Sequence, residues 1–164
     1  MKTKMIYQIN GDVTTMYDPQ GKSFIIDTDQ LEKVLLCNWY VEKKGYVRTS
    51  SRKFGRVTLH RYLLGTDKPI DHINREKNDN RLSNLRICTV QENNMNRGVF
   101  CTNKSGVKGV STCANEKPAK YKASIGLNGK KIFLGYYKTV EDAKRAYDEK
   151  AAELFGEYAP HLNY

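Results

Sequence analysis

Residues 74–84, NREKNDNRLSN, contain one apolar side chain, Leu82. A helix through them would have no apolar stripe and a strand no apolar face, so the stretch must be a loop. It lies between two short β-prone runs, PIDHI at 69–73 and LRICTV at 85–90. The chain is thereby held to strand, long loop, strand, and QENNMNR then reads as the start of a short helix. Thr89 is a candidate cap for that helix, with Glu92 three residues on. Connections this long and polar are more often functional than structural.

The flanking regions read as small α+β units. Residues 5–17 alternate around Asn10-Gly11, a hairpin signal, and KSFIID at 22–27 is a further strand. Asp29 is expected to cap a short helix, QLEKVLLC, with Leu31, Val34 and Leu35 on one face. WYVEKKGYVRTS reads as two strands about Lys44-Gly45, and GRVTLHRYLLG is an apolar run ending at Gly65. Residues 1–58 make an N-terminal scaffold, 59–98 the strand–loop–strand–helix, and 99–106 (VFCTNKSG) a linker. From 107 to 164, GVKGVSTC, KYKASIGL and KKIFLGYY form a three-strand meander that turns at Asn128-Gly129. A helix follows, opened by Thr139 with Asp142 and closed by Gly156. Val140, Ala143, Ala146, Tyr147, Ala151 and Leu154 recur at helical spacing and are expected to pack on the sheet. The fold class is α+β, and a length of 164 residues permits one ordinary domain or two or three small ones.

Charge separates these regions. Residues 1–50 carry 7 basic and 6 acidic groups, residues 51–100 carry 10 and 5, and residues 101–164 carry 11 and 7. The net charge of +10 points to a polyanionic partner, nucleic acid first and an anionic membrane surface second. No segment has the roughly 18 apolar residues of a membrane span, and MKTKMIYQINGD lacks the apolar run of a secretory signal. A cytoplasmic protein is therefore expected. Cys37, Cys88, Cys101 and Cys113 include no Cys-x-x-Cys pair, which disfavours a zinc site or a disulfide framework. They are expected to be reduced and mostly buried.

Within the strand–loop–strand–helix, Asp71-His72 offers a metal-binding carboxylate and a proton acceptor side by side. Phosphodiester hydrolysis needs both: a base for water, and a cation to offset charge on the phosphate and the departing oxygen. Neighbouring strand residues point to opposite faces. The two side chains converge only if the strand end bends, or else they flank the phosphate. One carboxylate does not hold Mg²⁺ alone, and Asn93 and Asn94 offer amide oxygens at the beginning of the helix. An imidazole with a pKa near 6.5 accepts a proton at neutral pH. Asn84, 12 residues after His72, is placed to bridge the long loop and hold His72.

LHRYLLG, DHIN, DNRLSNLR and CTVQENNMNR, within residues 59–97, resemble the HNH nuclease motif as found in phage-type homing endonucleases. The resemblance implies two strands and a helix around one metal ion. It implies His72 as general base, Asp71 as a metal ligand, Asn84 as the central Asn and Asn93 as the helix's metal ligand, with Asn94 and Asn96 close by. The third letter of the motif is then Asn rather than His. His60 falls in the family's upstream His-Arg element, where a structural or phosphate-contacting role is expected.

SGVKGVS, YKASIGLNGKKIFLGYYKTVEDAKRAYDEKA and FGEYAPHLNY resemble the DNA-binding domain of plant ethylene-response transcription factors. That resemblance implies three strands in the major groove with a helix behind them. The positions matching its DNA-facing residues are Lys108, Ser111, Lys122, Ser124 and Lys131. Arg and Trp are usual there; Lys is a point charge, so backbone binding is implied more than base readout. From charge alone, a solvated Lys-rich sheet edge would serve equally.

The two resemblances together imply a Mg²⁺- or Mn²⁺-dependent endonuclease of double-stranded DNA, leaving 5′-phosphate and 3′-hydroxyl ends, in a bacterial or phage-infected cell. One site per chain predicts nicking by a monomer. A non-catalytic DNA-binding regulator and an RNA-binding or RNA-cleaving protein are the alternatives.

Overall fold

Gly11, at φ +61°, turns the chain between β1 (Ile6–Asn10) and β2 (Val13–Tyr17). The computed structural model to which this belongs describes residues 5–51, 54–99, 101–113 and 120–159. Asn10 pairs with Val13, so the two-residue turn is Gly11-Asp12, one position later than the Asn-Gly signal suggests. β3 (Ser23–Asp27) completes an antiparallel β1-β2-β3 sheet, and alternation sends Met16, Phe24 and Ile26 into the core. Asp18 fixes the β2–β3 turn: its carboxylate accepts from the backbone N–H groups of Gln20 (2.8 Å), Lys22 (2.9 Å) and Val41 (3.0 Å).

The helix after β3 is shorter than its apolar spacing suggests. A 3-10 turn (Thr28–Gln30) runs into α1 (Leu31–Val34). Asp29 lies inside that turn and does not cap; Asp27 and Gln30 hold the cap positions, without side-chain cap bonds. The helix stops at Val34, so Val34 is buried while Leu35 is exposed. A second sheet, β4 (Tyr40–Val41), β5 (Val47–Ser51) and β6 (Gly55–Thr58), leads into α2 (Leu59–Leu64). The apolar run GRVTLHRYLLG is thus half strand and half helix, ended by Gly65 in the left-handed region at φ +60°. Trp39 anchors this core, its indole N–H donating to the Val34 carbonyl at 2.8 Å. β7 (Ile70–His72) and β8 (Leu85–Ile87) then form an antiparallel pair.

The long polar loop is laid along β3. Ile25 N–H donates to the Asn78 carbonyl (2.9 Å), and Asn80 N–H donates back to the Ile25 carbonyl (2.8 Å). Ile25 and Asp79 form a parallel bridge, and the Leu82 N–H donates to the Asp27 carboxylate at 2.6 Å. The loop's backbone groups are therefore satisfied by an edge strand some 55 residues earlier in the chain, as the separation of Asp27 and Leu82 records.

The chain divides into two compact units, Met1–Thr89 and Val90–Tyr164. The second begins with α3 (Val90–Asn96), followed by β9 (Val110–Cys113), β10 (Lys120–Leu127), β11 (Lys130–Tyr137) and α4 (Val140–Phe155). The strands form an antiparallel meander with β10 central. Asn128 (φ +50°) and Gly129 (φ +74°) make its tight turn, as their sequence predicts. α4 opens on Thr139, whose hydroxyl accepts from Asp142 N–H at 3.1 Å, and ends at Gly156. Ala143, Tyr147 and Ala151 are buried from its apolar stripe, Phe155 joins them, and Met95 of α3 packs into the same core with Ile125. Cys37 and Cys88 are buried, but Cys113 is half-buried and Cys101 exposed, so burial covers two of the four free thiols rather than most. Among the described residues no helix is long and apolar enough to cross a membrane.

Candidate active site

The register of β7 and β8 sets Asp71 opposite Arg86 and His72 opposite Leu85. Arg86 donates to Asp71 Oδ2 from Nε (3.0 Å) and NH2 (2.8 Å), an ion pair with both side chains largely buried. The His72 ring lies edge to face with His60, centroids 5.1 Å apart, and 6.2 Å from the ring of Tyr46. Asp71 and His72 are both buried, and the Asp71 carboxylate is close enough to act on the His72 charge.

Burial drives the His72 pKa below the usual histidine value. The Asn80 amide and the Asp71 and Asp79 carboxylates pull it upward, and the Lys77 ammonium adds to the lowering. The imidazole is accordingly neutral at pH 7, the form that accepts a proton. Lys77 is placed by the ring of Tyr46, 4.8 Å from its ammonium, and by a bond to the Lys44 carbonyl at 3.2 Å. Tyr46 and Lys77 are neighbours of His72 that the motif does not mark. Tyr46 is remote in sequence, and Lys77 looks like one of many loop charges.

Asn84 is buried and bridges the loop. Its Oδ1 accepts from Asn74 N–H and its Nδ2 donates to the Asp79 carbonyl, both at 2.9 Å. Its main-chain carbonyl accepts from Ile73 N–H, also at 2.9 Å, so the two residues that follow His72 are each tied to Asn84 by a backbone N–H. Asp79 extends the brace, accepting from Arg81 Nε (2.9 Å) and NH2 (2.7 Å) and from Asn74 Nδ2 (2.8 Å). Burial alone would raise the Asp79 pKa; the Arg81 and Asn74 bonds outweigh it and hold the carboxyl below the usual range.

His60 sits on α2, buried against Tyr46 (5.8 Å) and His72, with Nε2 bonded to the Thr58 hydroxyl at 3.0 Å. Burial first, and then the positive surroundings of His72, Arg61 and Arg48, push its pKa down to about 3. The His60 ring is thus enclosed between Tyr46 and His72.

Oxygen donors dominate the candidate metal residues. Among the described residues no group of three or more His, Cys, Asp or Glu side chains converges on a point. Asp71 carboxylate and asparagine amide oxygens are hard donors, a set that suits Mg²⁺ or Mn²⁺ retaining several waters. Asn93, Asn94 and Asn96 lie on α3, in the second unit, whereas Asp71, His72 and Asn84 lie in the first. Asn96 is buried, Asn94 Oδ1 accepts from Arg97 NH1 at 3.4 Å, and Asn93 is partly exposed.

The meander has an outer face away from α4. Cross-strand pairing sets Ser111 beside Lys122 and Lys122 beside Tyr136. Lys131 and Phe133 alternate outward while Ile132 and Leu134 pack inward. A bulge at Leu134, with Gly135 at φ +140°, then turns Tyr136 to the outer face as well. Phe133 and Tyr136 are 53% and 55% exposed, with rings 5.1 Å apart, and the Lys122 ammonium lies 5.5 Å from the Phe133 centroid. These two aromatics escape a reading fixed on charge; strand alternation would have found Phe133, but the bulge hides Tyr136. Ser124, paired with Phe133, is buried at 7% exposed, with its N–H bonded to the Gly109 carbonyl. The Lys108 ammonium lies on α3, donating to the carbonyls of Asn94 (2.8 Å), Met95 (2.6 Å) and Arg97 (2.9 Å).

Comparison with known proteins adds a family to this geometry. The family model described as HNH endonuclease matches residues 66–95, which span β7, the braced loop, β8 and most of α3. An uncharacterized HNH endonuclease of Acanthamoeba polyphaga mimivirus is 33% identical over 148 residues, covering 85% of this chain and 74% of that one. No solved structure matches the chain significantly. A relative matched over most of both lengths, with a family match that includes the buried Asp71-His72 strand, makes this chain a member of the HNH endonuclease family, a nuclease.

Proposed function

We propose that this nuclease is a metal-dependent DNA endonuclease of the homing type, in which His72 activates the attacking water. The observation that carries the reading is the His72 ring, buried, neutral at pH 7, and fixed by a loop that Asn84 ties down on both sides. His72 takes the proton of a water aligned with the phosphorus, and the neighbouring carboxylates steady the imidazolium that results. Lys77, held beside the ring, opposes premature protonation of the base and offers positive charge to the incoming phosphate. Asp71 and Asn93 are the residues that would hold Mg²⁺ or Mn²⁺; when bound, the cation supplies Lewis-acid stabilisation of charge on the departing 3′ oxygen. Cleavage then leaves 5′-phosphate and 3′-hydroxyl ends.

The second unit is the part that holds the duplex, as a domain of the ethylene-response-factor type. Supporting this are the outward lysines 122 and 131 and the stacked Phe133–Tyr136 pair, a combination of phosphate-neutralising charge and π surface. Free thiols suit a reducing cytoplasm. The direct test is conversion of supercoiled plasmid to nicked circles in Mg²⁺. His72→Ala is expected to lower the rate by about 10²–10⁴-fold, the usual contribution of a general base; nicking at the wild-type rate would remove His72 from that role.

A further inference from the structure

We infer that Lys108 is a positioning residue for cleavage rather than a contact to DNA: from the loop before β9 it clamps the C-terminal end of α3, the helix that carries Asn93. The inference rests on the reading of Asn93 as a cation ligand.

An α-helix leaves its last four carbonyls without intrahelical donors and carries partial negative charge at that end. α3 has no basic residue in its own last turn. Lys108 supplies the missing cation from 11–14 residues downstream, reaching the carbonyls of Asn94, Met95 and Arg97 at 2.6–2.9 Å. An ammonium has three N–H donors, and these carbonyls are acceptors for them. A phosphate at this position would have to displace a carbonyl. On the neighbouring residue of α3, the side chain of Met95 is sealed into the core by Ile125 and Tyr147. The helix is therefore held at its end by a charge and along its flank by a buried side chain.

The loop that delivers Lys108 is itself stiffly built. Asn103 Nδ2 donates to the Val107 carbonyl at 2.7 Å, and the Ser105 hydroxyl bonds Asn103 Oδ1 (2.7 Å) and the Val110 carbonyl (2.8 Å). Gly109, at φ +73°, lies so close to α4 that a Cβ there would sit 2.1 Å from the Tyr147 ring. The ammonium is thus fixed to the same frame as β9, β10 and α4. In mechanistic terms, the amide of Asn93 takes its position from the sheet unit through Lys108, and a loosened clamp would blur the ligand without removing it.

Three measurements on the full chain test this. In untreated wild-type protein, amine acylation read by mass spectrometry should find Lys108 protected both with and without duplex DNA, while Lys122 and Lys131 become protected only when DNA is added. Lys108→Met should leave duplex affinity and its salt dependence, measured with EDTA present, unchanged. The same variant should raise the Mg²⁺ concentration required for nicking by about 10-fold or more, as removal of a ligand's support does, and Lys108→Arg should recover most of the loss. Lys108 that is reactive in free protein and shielded by DNA would overturn the inference even if the Met variant failed to fold. So would a Met variant whose salt slope falls by about 1, the mark of a lost phosphate contact, or one whose Mg²⁺ requirement is that of wild type. Asn93→Ala separates the two levels. If it nicks with wild-type Mg²⁺ dependence, the ligand reading fails; if it does not and Lys108→Met does, only the clamp fails.

Discussion

His60 illustrates how a single buried ring sets an acid limit on the fold. Its pKa is about 3 in the folded state, against 6.5 for a free histidine. Above pH 6.5 neither state binds the proton and no penalty arises. As the pH falls from 6.5 toward 3, the unfolded chain takes up a proton that the folded chain refuses, and stability declines. A full unit of pH within that window costs about 1.4 kcal/mol, so roughly 2 kcal/mol should be lost between pH 6.5 and 5 through this group. Urea midpoints across pH 7 to 5 should show the decline in wild type and a shallower slope in His60→Gln. Equal slopes would place the acid sensitivity elsewhere. At this same scale lie surroundings that a sequence pattern does not disclose. Ser124 is buried with its N–H on the Gly109 carbonyl, and the charge on Lys108 is visible in sequence while the carbonyls that receive it are not.

Elements whose determinants are local are the ones a sequence discloses. α4 is bounded by Thr139 and Gly156 as its residues suggest, the β10–β11 turn follows from Asn128-Gly129, and the strand–loop–strand around Asp71-His72 follows from a stretch of eleven positions with one apolar side chain, bounded by β-prone runs. α1 is less legible, because Gln30 falls in a 3-10 turn and the helix stops at Val34, short of Leu35, Leu36 and Cys37. The docking of the loop along β3 could not be read at all, since nothing near residues 78–80 signals that residue 25 is their partner. That contact makes a prediction at the level of the element. Ile25 N–H faces the loop, donating to Asn78. Ile25→Pro removes this donor at the edge of the β1-β2-β3 sheet, where proline is tolerated. It should therefore release the loop while the second unit keeps its fold. Hydrogen exchange should accelerate at the Asn80 and Leu82 amides with the α4 amides unchanged, and plasmid nicking should fall. Unaltered protection at Asn80 and Leu82 would show that β3 is not what holds the loop.

Across the whole molecule, the chain divides into two units, each with a core of its own. If the outer face of the meander grips phosphate, each lysine removed from it should lower the slope of log affinity against log salt by about 0.9. Lys122→Ala with Lys131→Ala should reduce the slope by nearly two and weaken binding evenly across sequences, while Phe133→Ala should weaken binding with little change in slope because it lacks charge. Unchanged slopes in the double variant would move the duplex to another surface. The N-terminal third, nearly neutral and without a motif of its own, acquires a purpose from the Ile25–Asp79 bridge. The nuclease loop rests on a ledge made by an earlier strand. Transplanting residues 59–98 alone as a cutting cassette would leave that loop without the strand its backbone pairs with, so a portable version of this nuclease has to travel with β3 and the β2 strand beside it.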